Sequence, residues 1–286
     1  VNKAMILLPP AVSFGPSIWS WGEKNLINTV HVSHVGRVRQ VNEDSVLVRH
    51  LEHGYTLGIV ADGMGGHLAG DTASRLAVQT VAEDLNSLVS DLSMNELRVL
   101  LMEAILHANE VIYREASGDE RLYNMGTTIV AVLLRNDEGY IGHIGDSRAY
   151  KVSGSKVELL TEDHTLVNEL FKNGQITEEE LKTHPRRNVL IRALGTDSKV
   201  NVELNSVGLG AGEALLLCSD GLSNLVSRES IGQIVGAADL PLEEKADRLL
   251  QLALLAGGDD NITVALLQHQ GETASSVQRG GIHDRT

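Results

Sequence analysis

The sequence predicts an α+β protein built from largely antiparallel sheets, with its helices gathered in pairs on the outer faces. Several β-type runs are joined by links too short for a crossover helix, such as Arg135 to Gly139, whereas parallel neighbours need a dozen or more intervening residues. The helical patterns arrive as two consecutive pairs, and the strict strand-helix-strand alternation of a parallel sheet is missing. No internal repeat interrupts this organisation.

Taken in order, the β-type runs are Val30–Ser33, Asp44–Arg49, Tyr55–Ala61, Thr127–Leu134, Tyr140–Ile144, Ala149–Val152, Val200–Val207, Ala214–Cys218 and Ile262–Leu267. After the third run, Leu76, Ala77, Thr80, Val81, Leu85 and Leu88 recur at helical spacing. Leu97, Leu101, Ala104, Ile105, Ala108 and Ile112 repeat the pattern, and Ser93 with Glu96 forms a capping box in front of them. The second pair runs from Glu229 to Val235, then from Pro241 to a stop at Gly257-Gly258.

Residues 1–28 are set apart by Phe14, Trp19 and Trp21 in a chain with only 3% aromatics, and read as an arm, flexible or foreign to the native chain. Residues 271–286 have the composition of a flexible tail, which leaves one domain over 29–270.

With 42% hydrophobic residues the chain can bury a core, and a net charge of −14 argues against nucleic acid and anionic membranes as partners. Cys218 is the single cysteine, so neither a disulfide framework nor a cysteine zinc site is expected, and the cytoplasm is the expected compartment. No apolar run approaches the roughly 18 residues of a spanning helix.

Three apolar runs each end in an aspartate followed by a small residue: Asp62-Gly63, Asp146-Ser147 and Asp220-Gly221. A fourth begins after Asp259-Asp260. One Asp-Gly is ordinarily a turn, but carboxylates gathered at buried strand ends repel unless protons or cations neutralise them. An all-oxygen donor set, with glycine beside Asp62 letting a carbonyl approach, points to Mg²⁺ or Mn²⁺ rather than zinc. Two such ions sharing a carboxylate would acidify a water for phosphoester hydrolysis. Arg39 lies just before Glu43 and Asp44; it is a surface charge or, beside such a centre, a phosphate ligand. The glycines at 65, 66 and 70 lack the Lys-Ser/Thr of a P-loop, and no EF-hand ladder is present.

In this order, Arg39-x-x-Asn-Glu-Asp44, Val60-Ala-Asp-Gly-Met-Gly-Gly-His67, Met125-Gly-Thr-Thr128, His143-Ile-Gly-Asp-Ser-Arg148, Leu217-Cys-Ser-Asp-Gly-Leu222 and Gly258-Asp-Asp-Asn-Ile-Thr263 resemble the metal-dependent protein serine/threonine phosphatases, the type 2C or PPM family, in its bacterial branch. The resemblance runs from about Val30 to Leu267. It implies a four-layer α-β-β-α sandwich with a small flap at about 161–196.

It also implies roles. Asp62 would bridge two metals, Gly63 would add its carbonyl, Asp220 and Asp260 would hold the second ion, and Glu43 and Asp44 would orient metal waters. Arg39 would bind the phosphate, and Asp146 with Asp220 would form a third, weaker site. Asp259 is left outside this set. Many eukaryotic members carry a histidine as proton donor directly after the first Asp-Gly; here Met64 stands there. The donor is left between His67 and a water on the third ion.

The expected function is hydrolysis of phosphoserine and phosphothreonine by direct attack of a metal-activated water, reversing a Ser/Thr kinase in the cytoplasm, by a monomer. The alternatives are a non-catalytic phosphoprotein-binding regulator and a small-molecule phosphoesterase. Short helices near Leu166–Phe171 and Thr177–Lys182, stopped by Pro185 and poor in large apolar residues, predict a mobile lid. Its Arg186, Arg187 and Arg192 meet substrate or merely solvate it. Cys218, inside an apolar run, reads as core.

Overall fold

A computed structural model describes residues 26–65 and 69–270. The tail at 271–286, His67 and all but the last residues of the arm at 1–28 lie outside them.

Eleven strands form two antiparallel sheets among the described residues. The first contains β1 (Ile27–His34), β7 (Arg148–Ser153), β8 (Lys156–Leu159), β10 (Ala214–Cys218) and β11 (Ile262–His269), in the order β1-β11-β10-β7-β8. The second has the order β2-β3-β5-β6-β9, from β2 (Asp44–His50), β3 (Tyr55–Met64), β5 (Ile129–Arg135), β6 (Glu138–Ile144) and β9 (Glu203–Gly208), with the short β4 (Gly126–Thr127) on the end of β3.

Alternation along the strands sorts side chains into three apolar cores. Val130, Val132 and Leu134 of β5 meet Leu215 and Leu217 of β10 and Ala265 and Leu267 of β11 between the sheets. The alternate residues Ile129, Ala131 and Leu133 pack outward on α1 (Ala69–Asp84) and α2 (Met94–Gly118). On the other outer face, Leu216, Val264 and Leu266 meet α5 (Asp220–Ser223), α6 (Arg228–Val235) and α7 (Leu242–Leu255). Burial on both faces explains why these strands read as unbroken apolar runs. The layers are therefore α-β-β-α.

The capping box predicted at Ser93 is present: the Glu96 N–H donates to the Ser93 hydroxyl, and the Glu96 carboxylate accepts from the Ser93 N–H at 2.7 Å. Several strand bounds differ from expectation: β1 begins at Ile27 rather than Val30, and β3 runs on through Asp62 to Met64 rather than ending at Ala61. The run from Thr127 divides at Thr128, whose side chain is committed to the site described below. β9 starts at Glu203 rather than Val200, and the edge strand β8 was not anticipated, being four residues of half-exposed, mixed character.

Antiparallel pairing brings the end of β3, the start of β2, the end of β10, the start of β11 and the β6–β7 turn to one end of the sandwich. Asp44 lies directly opposite Asp62 in the β2–β3 register. Beside that end lies the segment from Thr161 to Thr196, with α3 (Leu166–Lys172) and α4 (Glu178–Thr183). Of α3, only Val167 is buried, and Phe171, Val189 and Ile191 are exposed.

Candidate metal centre

The five strand ends enclose a cavity of about 470 Å³ lined by Arg39, Glu43, Asp62, Gly63, Asp146, Asp220 and Asp260, with Met64, Thr128, Asn188, Leu190 and Asn261 among the other walls. Asp44 stands behind it, 8% exposed. All the residues expected around a metal therefore come together at one end of the two sheets. Asp259 faces a neighbouring groove between the flap and α5–α6 instead.

Hydrogen bonds from serines and threonines fix the carboxylates. The Asp62 N–H donates to Thr128 Oγ1 at 3.0 Å, and the Asp62 carbonyl accepts from the Thr128 N–H at 2.9 Å and from Thr127 Oγ1 at 2.8 Å. Thr128 Oγ1 also bonds Ser147 Oγ at 2.7 Å, tying the Asp62 strand to the turn that carries Asp146. Ser219 Oγ donates to Asp44 Oδ2 at 2.7 Å and accepts from the Thr263 N–H at 3.0 Å. Gly63 has no room for a side chain, because a Cβ there would lie 2.1 Å from the Gly70 carbonyl oxygen at the start of α1.

The electrostatics of this cluster are unfavourable without a cation. Burial, helped by the repulsion of Asp220 and Asp260, pushes the Asp44 carboxyl up to about 7. Burial and Asp220 do the same to Asp146, also to about 7, while burial and Asp260 raise Asp220 to about 6. Asp62, buried and facing Asp44, Asp220 and Asp146, is raised well above the usual carboxylate range. Among the described residues, Asp44 Oδ1 and Asp220 Oδ1 are buried with no hydrogen-bond partner. Buried acceptors that no donor satisfies, on an all-oxygen donor set, fit divalent cations of the Mg²⁺ or Mn²⁺ type.

At the mouth, Arg39 Nη2 donates to Asp260 Oδ2 at 2.8 Å, with Arg39 half exposed. This places a guanidinium next to the carboxylate cluster and open to solvent, where an anion can reach it.

A second titratable group, not foreseen from the sequence, joins the flap to the sheet. His143 and His164 stack with ring centroids 5.0 Å apart, and their ligand atoms lie within 4.8 Å of those of Glu203. The hydrogen bonding of His164 does not suit a metal. His164 Nδ1 accepts from the Gly145 N–H at 3.1 Å, so the proton sits on Nε2, which donates to Glu203 Oε1 at 2.9 Å. Metal-bound histidines usually donate from the second nitrogen instead. Arg192 also donates to Glu203 Oε1, at 3.0 Å, which already balances the carboxylate. Arg192 is thus tied to the sheet, while Arg186 and Arg187 are exposed.

Met64 lines the cavity and offers no proton, and among the described residues no histidine lines it. Cys218 is fully buried, and burial pushes its thiol up to about 12, which removes it as a nucleophile.

Residues 33–266 match the family model described as Protein phosphatase 2C. A serine/threonine phosphatase, stp, of Listeria monocytogenes is 40% identical over 233 residues, spanning 82% of this chain and 92% of its own. Among solved structures, the Streptococcus agalactiae serine/threonine phosphatase superposes with a TM-score of 0.81 at 36% identity, over 85% of this chain and all of the other. The catalytic domain of the phosphatase PstP, in complex with two manganese ions, gives 0.74 at 35% identity over 86% of this chain and 99% of its own.

Proposed function

The chain belongs to the protein phosphatase 2C family and is a serine/threonine phosphatase of its bacterial type, and we propose that its centre holds two Mn²⁺ or Mg²⁺ ions and a weaker third. Convergence of Asp62, Asp220 and Asp260 with Gly63 in one cavity carries this reading, and the two manganese ions in the related PstP structure support it.

Asp62 would be shared by the two principal ions, with the Gly63 carbonyl on one and Asp220 and Asp260 on the other. Glu43 and Asp44 orient water, and Asp146 with Asp220 forms the third position. Bound divalent ions supply an acidified water and neutralise the phosphoryl oxygens. Arg39, solvent-facing at the mouth, would bind and orient the phosphate of the substrate. Carboxylates kept ionised by cations retain their acceptor lone pairs for that water, which the raised proton affinities of the bare cluster would otherwise occupy.

The catalytic domain is assigned to 29–270 with the flap at 161–196, and the substrates to phosphorylated proteins of a cytoplasmic Ser/Thr kinase circuit, dephosphorylated by a monomer. Among the described residues, no helix is long and apolar enough to cross a membrane.

The test is phosphate release from a phosphothreonine peptide with Mn²⁺, with Mg²⁺ and with EDTA, comparing the native chain with Asp62→Asn. Metal-dependent turnover that falls by at least about a thousandfold in the variant, the scale of losing a group acting at the reacting centre, supports the reading. Turnover that persists in EDTA, or in Asp62→Asn with Mn²⁺, refutes it.

A further inference from the structure

The loop that carries Arg39 is held in an unusual way. Residues 37 to 41 are exposed, with Val38 at 65%, so packing does little to fix them. Of the hydrogen bonds that hold the segment from Val35 to Glu43, which links β1 to β2, three end on one side chain immediately before β11. Asn261 Nδ2 donates to the Val35 carbonyl at 3.0 Å and to the Val41 carbonyl at 2.9 Å, and Asn261 Oδ1 accepts from the Glu43 N–H at 2.8 Å.

Asn261 is 5% exposed and uses three of its four hydrogen-bonding positions this way. It bonds the loop before Arg39, after Arg39 and at Glu43 itself. Its own N–H donates to Asp260 Oδ1 at 2.9 Å, so the backbone of the same residue orients the carboxylate that Arg39 meets. Gly36, at a φ of +81°, lets the loop lie against this point, since a Cβ there would be 2.2 Å from the Asp260 carbonyl oxygen.

We infer that Asn261 is a positioning residue that sets the phosphate-binding Arg39 and the Glu43 carboxylate in register with Asp260 across the two sheets. The inference rests on the reading of Arg39 as the phosphate ligand. Asn261 acts through the loop: it fixes the backbone on either side of Arg39, and the loop presents the guanidinium. An aspartate would lose both donors and face two carbonyl oxygens, and a shorter side chain would not span the three backbone groups.

Asn261→Ala and Asn261→Ser are compared with the native chain, in native and Arg39→Ala backgrounds, the serine variant serving if the alanine variant does not fold. Three quantities are measured: inhibition by inorganic phosphate, KM and kcat on a phosphothreonine peptide, and amide hydrogen exchange without substrate. The expected result is phosphate binding weakened about tenfold, the scale of one misplaced charge-assisted hydrogen bond, with KM raised more than kcat is lowered. In Arg39→Ala the same substitution should add less than about twofold, the mark of two residues acting as one unit. Exchange should accelerate between Gly36 and Glu43 and stay native elsewhere.

Effects that multiply in the double variant, or native phosphate affinity with native loop exchange, overturn the inference. If Arg39→Ala alone leaves phosphate affinity unchanged, the assignment of Arg39 falls. Loop exchange then decides Asn261 by itself: faster exchange confined to the loop supports its positioning role and native exchange refutes it.

Discussion

Asp220→Asn should stabilise the metal-free protein while weakening its response to metal. Burial and Asp260 raise the Asp220 carboxyl from 3.8 to about 6. A raised pKa means the folded state holds a proton that the unfolded state releases, so stability falls as pH rises from 3.8 to about 6 and the full penalty applies above that. Two units correspond to about 3 kcal/mol. Asparagine keeps the shape and carries no charge, so at about pH 7.5 in EDTA the variant should be more stable by about that amount, a melting shift of roughly 6–12 °C for a domain of this size. Below about pH 4, where the carboxyl is neutral in both states, the difference should vanish. Adding Mn²⁺ should raise the melting temperature of the native chain by mass action and that of the variant by less, since Asp62 and the Gly63 carbonyl remain. Denaturation in EDTA at two pH values, with and without Mn²⁺, reads all of this. A metal-free variant no more stable than the native chain near pH 7.5 would sink the argument that the cluster is held together against its own charge.

Arg39→Lys should lower kcat/KM by about 10–100-fold, because an ammonium cannot reproduce the two-pronged contact of a guanidinium with phosphate; steady-state kinetics on a phosphopeptide check this. Ser93→Ala, which removes the cap of α2 far from the cavity, should cost about 1 kcal/mol in chemical denaturation and leave kcat/KM native. Leu217→Ala, deleting a fully buried side chain between the sheets, should cost about 2–5 kcal/mol, read from the denaturation midpoint.

The sheets were legible because burial on both faces leaves an unmistakable run, as in Ile129 to Leu134, and the carboxylates were legible because four such runs begin or end in them. Thr128 was not: its hydroxyl serves Asp62 and Ser147 from elsewhere in the chain, and within its own run it looks like any β-branched residue. The single turn of α5 is hidden for the opposite reason, since four residues carry no period. Asn261 stood in plain view within a recognised motif, but its three partners lie some 220 positions away in sequence, and only a long-range contact gives them meaning. Glu203 likewise acquires its partners His164 and Arg192 through the flap. An asparagine immediately before a buried strand, followed at once by Ile262-Thr-Val-Ala-Leu-Leu267, is the signal that could have drawn attention to Asn261.

The pairing of β1 with β11 over all eight residues of each has a consequence for how the protein comes into being. The strand that opens the described domain finds its neighbour only in the strand that closes it. β11 also sits between β1 and β10, so the five-stranded sheet is split until that last segment leaves the ribosome. Asp260 and Asn261 stand at the head of the same strand, and the Arg37 N–H reaches back to the Gly258 carbonyl at 2.7 Å. Asp260 and the asparagine that braces the Arg39 loop are therefore synthesised after the rest of the pocket. Such long-range closure makes assembly slow compared with helical neighbours, and it leaves the β10 edge exposed to other nascent chains meanwhile. A chain lacking the residues from Asp259 onward would keep Asp62, Asp220 and most of its core residues, but would lose Asp260 and the asparagine that braces the Arg39 loop.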